Sequence, residues 1–213
     1  MYTDLQVAGH DKAVVVLSGG LDSTTALALA KERCEYVYGV FFDYQQQHRK
    51  EVEAVQDVAR FYRIPLQVIH LPRIDRYERP QSYLPPTWYP NRNVIFMVYA
   101  SNHALQVGAT LVVTGVHQED QPGYPDCRYA VLYGVEMIVR ESLCYTLSFW
   151  APFLYTSKKG IVRIGLEKHV PYRLTWSCYG EGDTPCHECD ACKRRELAFI
   201  WNETSDPLLE KQE

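Results

Sequence analysis

The chain has 213 residues, and its 22 Lys and Arg against 26 Asp and Glu leave a net charge of −4, so no excess of positive charge is available for a dominant nucleic-acid surface. A hydrophobic fraction of 46% with 23% charged residues belongs to an ordinary globular protein with a full core. No apolar run approaches the roughly 20 residues that cross a bilayer, and Met1–Asp11 lacks a signal-peptide pattern; a cytoplasmic protein with no membrane partner is expected.

Val14, Val15, Val16 and Leu17 run unbroken, which suits a strand buried on both faces of a parallel sheet. Ser18-Gly19-Gly20 follows, a turn whose missing Cβ atoms let a ligand approach the backbone. Asp22, Ser23 and Thr24 then offer cap side chains to a helix predicted from Thr25 to Arg33. A strand, a glycine turn and a helix start together present free N–H groups at the positive end of a helix dipole, an arrangement that binds phosphate. Neither Gly-x-x-x-x-Gly-Lys-Ser/Thr nor Gly-x-Gly-x-x-Gly occurs in the chain.

Tyr36 to Phe42 is predicted as a second buried strand, closed by the polar run Asp43-Tyr44-Gln45-Gln46-Gln47-His48-Arg49. A helix from about Arg49 to Tyr62 and a third strand from Leu66 to Leu71 follow. The alternation predicts an α/β fold, a doubly wound parallel sheet with ligands beyond the carboxyl ends of its strands. Residues 72 to 91 hold five prolines and read as a long loop placed as a lid. A helix from Val94 to Val107, capped by Gly108, leads to a strand at Leu111–Thr114 and a second polar loop, Gly115 to Arg128. Beyond it the pattern predicts a helix over Tyr129–Glu141, a strand over Tyr145–Phe149 and a helix from Ser157-Lys158-Lys159 to about His169. The tail from Asn202 is expected to fray.

Of seven cysteines, Cys178, Cys186, Cys189 and Cys192 crowd into fifteen residues. Two-residue spacers let neighbouring thiolates reach one ion from a tight turn, and the longer loop completes a tetrahedron. Four sulfurs close the shell, so a structural zinc ion is expected, with an iron–sulfur cluster as the alternative; His187 is read as a bystander. The expected division is an α/β domain over 1–170 and a C-terminal zinc-binding subdomain, built on the four cysteines, over 171–213.

Ser18-Gly19-Gly20-Leu21-Asp22-Ser23 resembles the pyrophosphate loop of N-type ATP pyrophosphatases, which cleave ATP between the α- and β-phosphates. Loop and cysteine cluster together resemble the 7-cyano-7-deazaguanine synthase (QueC) family. The middle of the chain agrees. Phe42-Asp43-Tyr44 with Gln47-His48-Arg49 resembles the family's Phe-Asp-Tyr-x-Gln-x-His-Arg, and Arg92-Asn93 its Pro-Gly-Arg-Asn. Gly123-Tyr124-Pro125-Asp126-Cys127-Arg128 matches its Gly-Tyr-Pro-Asp-Cys-Arg, Pro152 and Lys158 fit its Thr-Pro-Leu-x4-Lys, and Cys178-Tyr179 its Thr-Cys-Tyr.

The resemblance implies an adenine nucleotide α-hydrolase-like fold and an ATP-dependent C–N ligase. Such an enzyme turns 7-carboxy-7-deazaguanine and ammonia into the nitrile preQ0, through an adenylylated carboxylate and an amide. It implies that Ser18, Gly19, Gly20, Leu21, Asp22, Ser23, Thr24, Asp43 and Gly115 hold ATP with Mg²⁺. Arg92, Lys158 and Asp126 are implied as catalytic, and Tyr44, Gln47, Arg49, Asp120, Tyr124, Asp126 and Arg128 as contacts to the deazapurine. A homodimer that binds small molecules and not nucleic acid is implied as well. The family's usual Gly-Val-Cys-Glu-Thr-Asp is here Gly115-Val116-His117-Gln118-Glu119-Asp120. That departure leaves an alternative: an offshoot of the family that makes the same adenylate and passes it to another amine, such as a protein terminus, stopping at an amide.

Overall fold

The computed structural model describes residues 9–45, 50–73, 85, 88–180 and 182–209. Five parallel strands form one sheet: β1 (Lys12–Leu17), β2 (Tyr36–Asp43), β3 (Leu66–His70), β4 (Leu111–Val113) and β5 (Ser148–Trp150), in the order β3-β2-β1-β4-β5. The order reverses beside β1, whose register pairs Val15 with Gly39 of β2 and with Val113 of β4. This reversal opens a crevice at the carboxyl end of β1, where such sheets bind ligands. The doubly wound α/β expectation holds.

Alternation along β1 sorts its side chains into two layers. Ala13, Val15 and Leu17 face α1 (Leu21–Arg33), α2 (Lys50–Tyr62), α5 (Lys158–Glu167) and α6 (Asp190–Ile200) in one buried cluster. Val14 faces α3 (Arg92–Val107) and α4 (Tyr129–Leu143) in the other. Gly108 ends α3 in the left-handed region at φ 69°, as the sequence predicts.

Three expectations change. Helix α1 begins at Leu21, so Asp22, Ser23 and Thr24 lie inside its first turn; Gly20 is the cap, without a side-chain cap bond, and the Thr24 hydroxyl donates back to the Gly20 carbonyl at 2.8 Å. Helix α6 is an element that the sequence reading lacks. The tail does not fray at Asn202, because Asp206 is buried against Arg195. Of the proposed lid, residues 74–84, 86 and 87 lie outside the described residues, as do Gln47, His48 and Arg49.

Candidate active site

The turn after β1 is a closed hydrogen-bond ring. The Ser18 N–H donates to Ser23 Oγ at 3.2 Å, the two serine hydroxyls lie 3.1 Å apart, and Gly20 N–H donates to Ser18 Oγ at 3.2 Å. Gly19 has φ 74°, and a Cβ there would stand 2.8 Å from the Glu51 carbonyl oxygen and 2.9 Å from Val55 N. Gly115 closes from the other side: a Cβ on it would lie 2.8 Å from Ser23 N. Glycine is therefore demanded at both positions by backbone packing. The N–H groups of Leu21, Asp22 and Ser23 open α1 and have no intrahelical acceptors.

Beside this ring lies a charged cluster from the starts of α1 and α5 and the loop after β4. Lys158 Nζ bonds Asp22 Oδ2 at 2.5 Å. His117 Nε2 is 3.2 Å from Asp120 Oδ1 and 3.9 Å from Asp22 Oδ2. His117 Nδ1 accepts the Glu119 N–H at 3.2 Å, which leaves Nε2 as the donor toward Asp120. The Lys158 N–H donates to Glu119 Oε1 at 2.7 Å, tying the loop to the start of α5. Burial works to raise Asp22, but the Lys158 ammonium and His117 outweigh it, and its carboxyl lies below the usual value. Burial lifts Asp120 above the usual value despite His117, and Asp22 adds to the lift. Two neighbouring carboxyls are thus pushed apart, a pattern found at functional sites. Asp22 Oδ1 is buried with no hydrogen-bond partner among the described residues. An orphaned carboxylate oxygen beside the free N–H groups of a helix start suits a hard cation such as Mg²⁺.

A cavity of about 300 Å³ opens from the ring. Ser18, Asp22, Ser23, Gly115 and Asp120 line one end, and Tyr44, Tyr89, Arg92, Phe96, Tyr124 and Tyr179 the other. Arg92 Nη1 donates to the Tyr44 hydroxyl at 3.4 Å, and its guanidinium lies 5.4 Å above the Tyr89 ring. Burial works to lower Arg92, but Tyr44 and Asp126 hold it above its ordinary value; burial pushes the Tyr44 hydroxyl up.

Asp126 stands behind Arg92. Its Oδ2 accepts the backbone N–H and the side-chain amide of Asn93, at 2.9 and 3.0 Å, while Oδ1 is buried with no hydrogen-bond partner among the described residues. Arg128 is exposed and donates from Nε to the Gln121 carbonyl at 3.1 Å. At the end of β2, Asp43 Oδ2 lies 3.2 Å from His70 Nδ1. Leu21 is packed in the core, and Thr24 is buried. Sequence reasoning missed Glu51, Tyr179 and Arg194 as cavity-lining residues. The one signal for Tyr179 is its adjacency to a cysteine ligand; Arg194 and Glu51 have none.

The four clustered cysteines come together. All the sulfurs of Cys178, Cys186, Cys189 and Cys192 lie within 4.8 Å of one another, and no other such group occurs among the described residues. Tetrahedral zinc with bonds of about 2.3 Å wants sulfurs about 3.8 Å apart, so small closing movements suffice. Backbone N–H groups already point at the sulfurs: Gly180 and Cys186 donate to Cys178 Sγ at 3.1 and 3.3 Å, and Cys189 donates to Cys186 Sγ at 3.4 Å. That last bond is the main reason the exposed Cys186 thiol is lowered to about 6; burial raises Cys178 and Cys192. The donor set fits a metal ion.

Residues 12–203 match the family model described as queuosine biosynthesis protein QueC. The 7-cyano-7-deazaguanine synthase of Thermoplasma acidophilum is 35% identical over 221 residues, covering 92% of this chain and 91% of its own. That of Clostridium kluyveri is 34% identical, covering 95% and 99%, and that of Archaeoglobus fulgidus 36% identical, covering 95% and 91%. Among solved structures, NMN synthetase from Francisella tularensis aligns with a TM-score of 0.56 at 14% identity, over 92% of this chain and 79% of that one. NH3-dependent NAD synthetase from Campylobacter jejuni gives 0.54 at 15%, over 81% and 70%. At such identities the structures speak for the fold alone. The relatives and the family match extend over nearly the whole described chain, and it belongs to the QueC family.

Proposed function

We propose that this chain converts 7-carboxy-7-deazaguanine, ammonia and ATP into 7-cyano-7-deazaguanine. The observation that carries the reading is the phosphate-type turn with its Asp22–Lys158 pair, opening into an aromatic-walled cavity that holds Arg92, in a chain of this family.

A carboxylate cannot expel oxide, so one of its oxygens must first become part of a leaving group. The carboxylate oxygen attacks the α-phosphorus of ATP, the bond to the β-phosphate breaks, and pyrophosphate departs. Ammonia then adds to the acyl carbon, and AMP leaves with the former carboxylate oxygen, giving the amide and a proton. In a second round the amide oxygen attacks the α-phosphorus of another ATP and pyrophosphate departs; loss of AMP, carrying the amide oxygen, and of the nitrogen's two protons leaves the nitrile.

The chain's part is positioning and charge neutralisation. The N–H groups of Leu21, Asp22 and Ser23, with the hydroxyls of Ser18 and Ser23, cradle the departing pyrophosphate. Gly19, Gly20 and Gly115 allow the close approach, and Thr24 and Asp43 flank it. Lys158 keeps its ammonium at the mouth of the turn, where negative charge grows. Asp22 would hold Mg²⁺, whose charge would add to the neutralisation of the phosphates. Arg92 faces the carboxylate, and Tyr44 and Tyr124 face the flat bicyclic ring. Asp120 borders the ring pocket, and Asp126 fixes the start of α3 behind it. A site built to hydrogen-bond one base leaves its polar groups unpaired when the wrong one enters, which makes it selective. The four cysteines hold one structural Zn²⁺. The chain works as a homodimer on small molecules, without binding nucleic acid.

Mass spectrometry of the zinc-loaded protein with ATP, Mg²⁺, ammonium and 7-carboxy-7-deazaguanine tests this. Nitrile, AMP and pyrophosphate are expected. An amide or adenylate that never becomes nitrile moves the reading to transfer onto a different amine.

A further inference from the structure

The Gly19–Gly20 peptide group is pinned at both ends. Its N–H, from Gly20, goes to Ser18 Oγ at 3.2 Å, and its carbonyl, on Gly19, accepts the Trp176 N–H at 2.9 Å. The first partner is inside the turn. The second comes from a segment more than 150 residues later, two positions before the first cysteine ligand.

Trp176 is buried, and its ring is held by the cysteine centre. Its Nε1–H donates to the Cys178 carbonyl at 3.0 Å, and it packs in one cluster with Ala54, Cys178 and Cys192, with Cys189 against it. A Cβ on Gly20 would stand 3.6 Å from the Trp176 carbonyl oxygen, so the two backbones run side by side. Gly19 also rests on α2, where a Cβ would meet Glu51 O at 2.8 Å and the Ala54 Cβ at 3.0 Å. The apex of the turn is therefore held by both a helix and the cysteine-bearing segment, which pack on each other through Ala54 and Trp176. Its left-handed φ of 74° at Gly19 is open to rearrangement once either support loosens.

We infer that Trp176 is a positioning residue that couples the four-cysteine centre to the phosphate turn, so that metal and nucleotide each tighten the binding of the other. Metal bound to Cys178, two residues along the chain, fixes the Trp176 backbone and ring; these hold the Gly19–Gly20 peptide plane in the orientation that presents the turn's N–H groups. Coupling between two sites is reciprocal, so nucleotide must hold the metal by the factor by which metal holds nucleotide. The inference rests on the reading of residues 18–24 as a nucleotide site.

The test uses zinc-loaded protein and magnesium α,β-methylene-ATP, an analogue that resists cleavage at the bond in question. Zinc release to a coloured chelator is followed with and without saturating analogue, and analogue affinity is measured by calorimetry. In the wild type the analogue is expected to slow release at least about fivefold, the lower end of ordinary coupling between sites. W176A is expected to release zinc faster, to lose the slowing and to bind the analogue more weakly, and W176F to restore most of the effect. Wild-type release indifferent to bound analogue overturns the inference. So does equal slowing in wild type and W176A, which reports only general stabilisation of the folded state. If W176A does not fold, hydrogen exchange in the wild type decides: chelation must raise exchange at residues 19–21 ahead of the β1 core, and unchanged exchange there overturns the coupling. A wild type that does not bind the analogue by calorimetry refutes the nucleotide-site reading instead.

Discussion

Three glycines show how much of the site is set by the absence of one carbon atom. A Cβ at Gly19 has no room between the Glu51 carbonyl and Val55, and φ 74° adds backbone strain; at Gly115 it would press on Ser23 N. Gly19→Ala is expected to cost about 1–3 kcal/mol of stability and to weaken nucleotide binding more than tenfold, checked by urea denaturation and calorimetry on the same sample. Gly165 in α5 has a different reason: a Cβ would overlap the Tyr172 hydroxyl, which is buried and bonded to Thr25 Oγ1 at 2.9 Å. The first reason was legible in the sequence, because Ser-Gly-Gly between an apolar strand and a helix is local chemistry. The last was not, because Tyr172 reaches Gly165 only through the folded chain. The Asp22–Lys158 pair is also non-local. Lys158→Met leaves a partly buried carboxylate beside Asp120, and a loss of about 1–3 kcal/mol at pH 7 is expected. Because the folded Asp22 lies below its unfolded value of 3.8, the stability it contributes is present above that pH and lost as pH falls through the folded value. The gap between wild type and Lys158→Met should therefore stay level from pH 7 to about 5 and close under more acid conditions; a gap that widens in acid sinks the pairing.

At the level of elements, period and composition located all five strands, and the glycine-capped α3 to within a few residues of its start. Helix α1 starts earlier than predicted because Gly20 serves as its cap and frees Asp22 and Ser23 to face the cavity. Helix α6 was missed because its first turn contains Cys192, and the ligand spacing masks the helical one. That overlap has a chemical consequence. Metal binding requires thiolates, yet burial raises the Cys178 and Cys192 thiols, while backbone donors lower Cys186 to about 6. Each raised thiol must give up its proton to the solvent when the ion binds. With two such thiols, zinc affinity is therefore expected to fall by about a hundredfold for each pH unit from 8 to 6, measured by competition with a chelator of known proton affinity. An affinity flat over that range would mean that the thiolates are already formed without metal.

Across the whole molecule, the Ser18–Gly20 turn meets a segment from late in the chain, and one buried ion pair holds that segment there. Arg195 and Asp206 are 3% and 5% exposed, and the contact is bidentate, at 2.5 Å from Nε and 2.9 Å from Nη2. The remaining guanidinium protons go to Tyr172 O at 2.9 Å, Thr175 Oγ1 at 2.7 Å and the Thr175 carbonyl at 3.3 Å, the residues that lead into Trp176. None of this was legible in the sequence, where Asp206 lies in a polar tail with no pattern to mark it as buried. Arg195→Met should leave Asp206 as an uncompensated buried charge, at a cost of about 3–5 kcal/mol in urea unfolding of the zinc-loaded protein. Adding Asp206→Leu removes that charge but leaves the Thr175 carbonyl without the Arg195 donor, while the Tyr172 carbonyl keeps the Thr175 hydroxyl at 2.7 Å and the Thr175 N–H at 3.1 Å. The double variant should therefore recover only part of the loss and remain about 1–3 kcal/mol below the wild type. Full recovery would mean that Arg195 matters only as a counter-ion. Partial recovery with weakened nucleotide binding makes it the anchor of the segment that carries Trp176 to the Ser18–Gly20 turn.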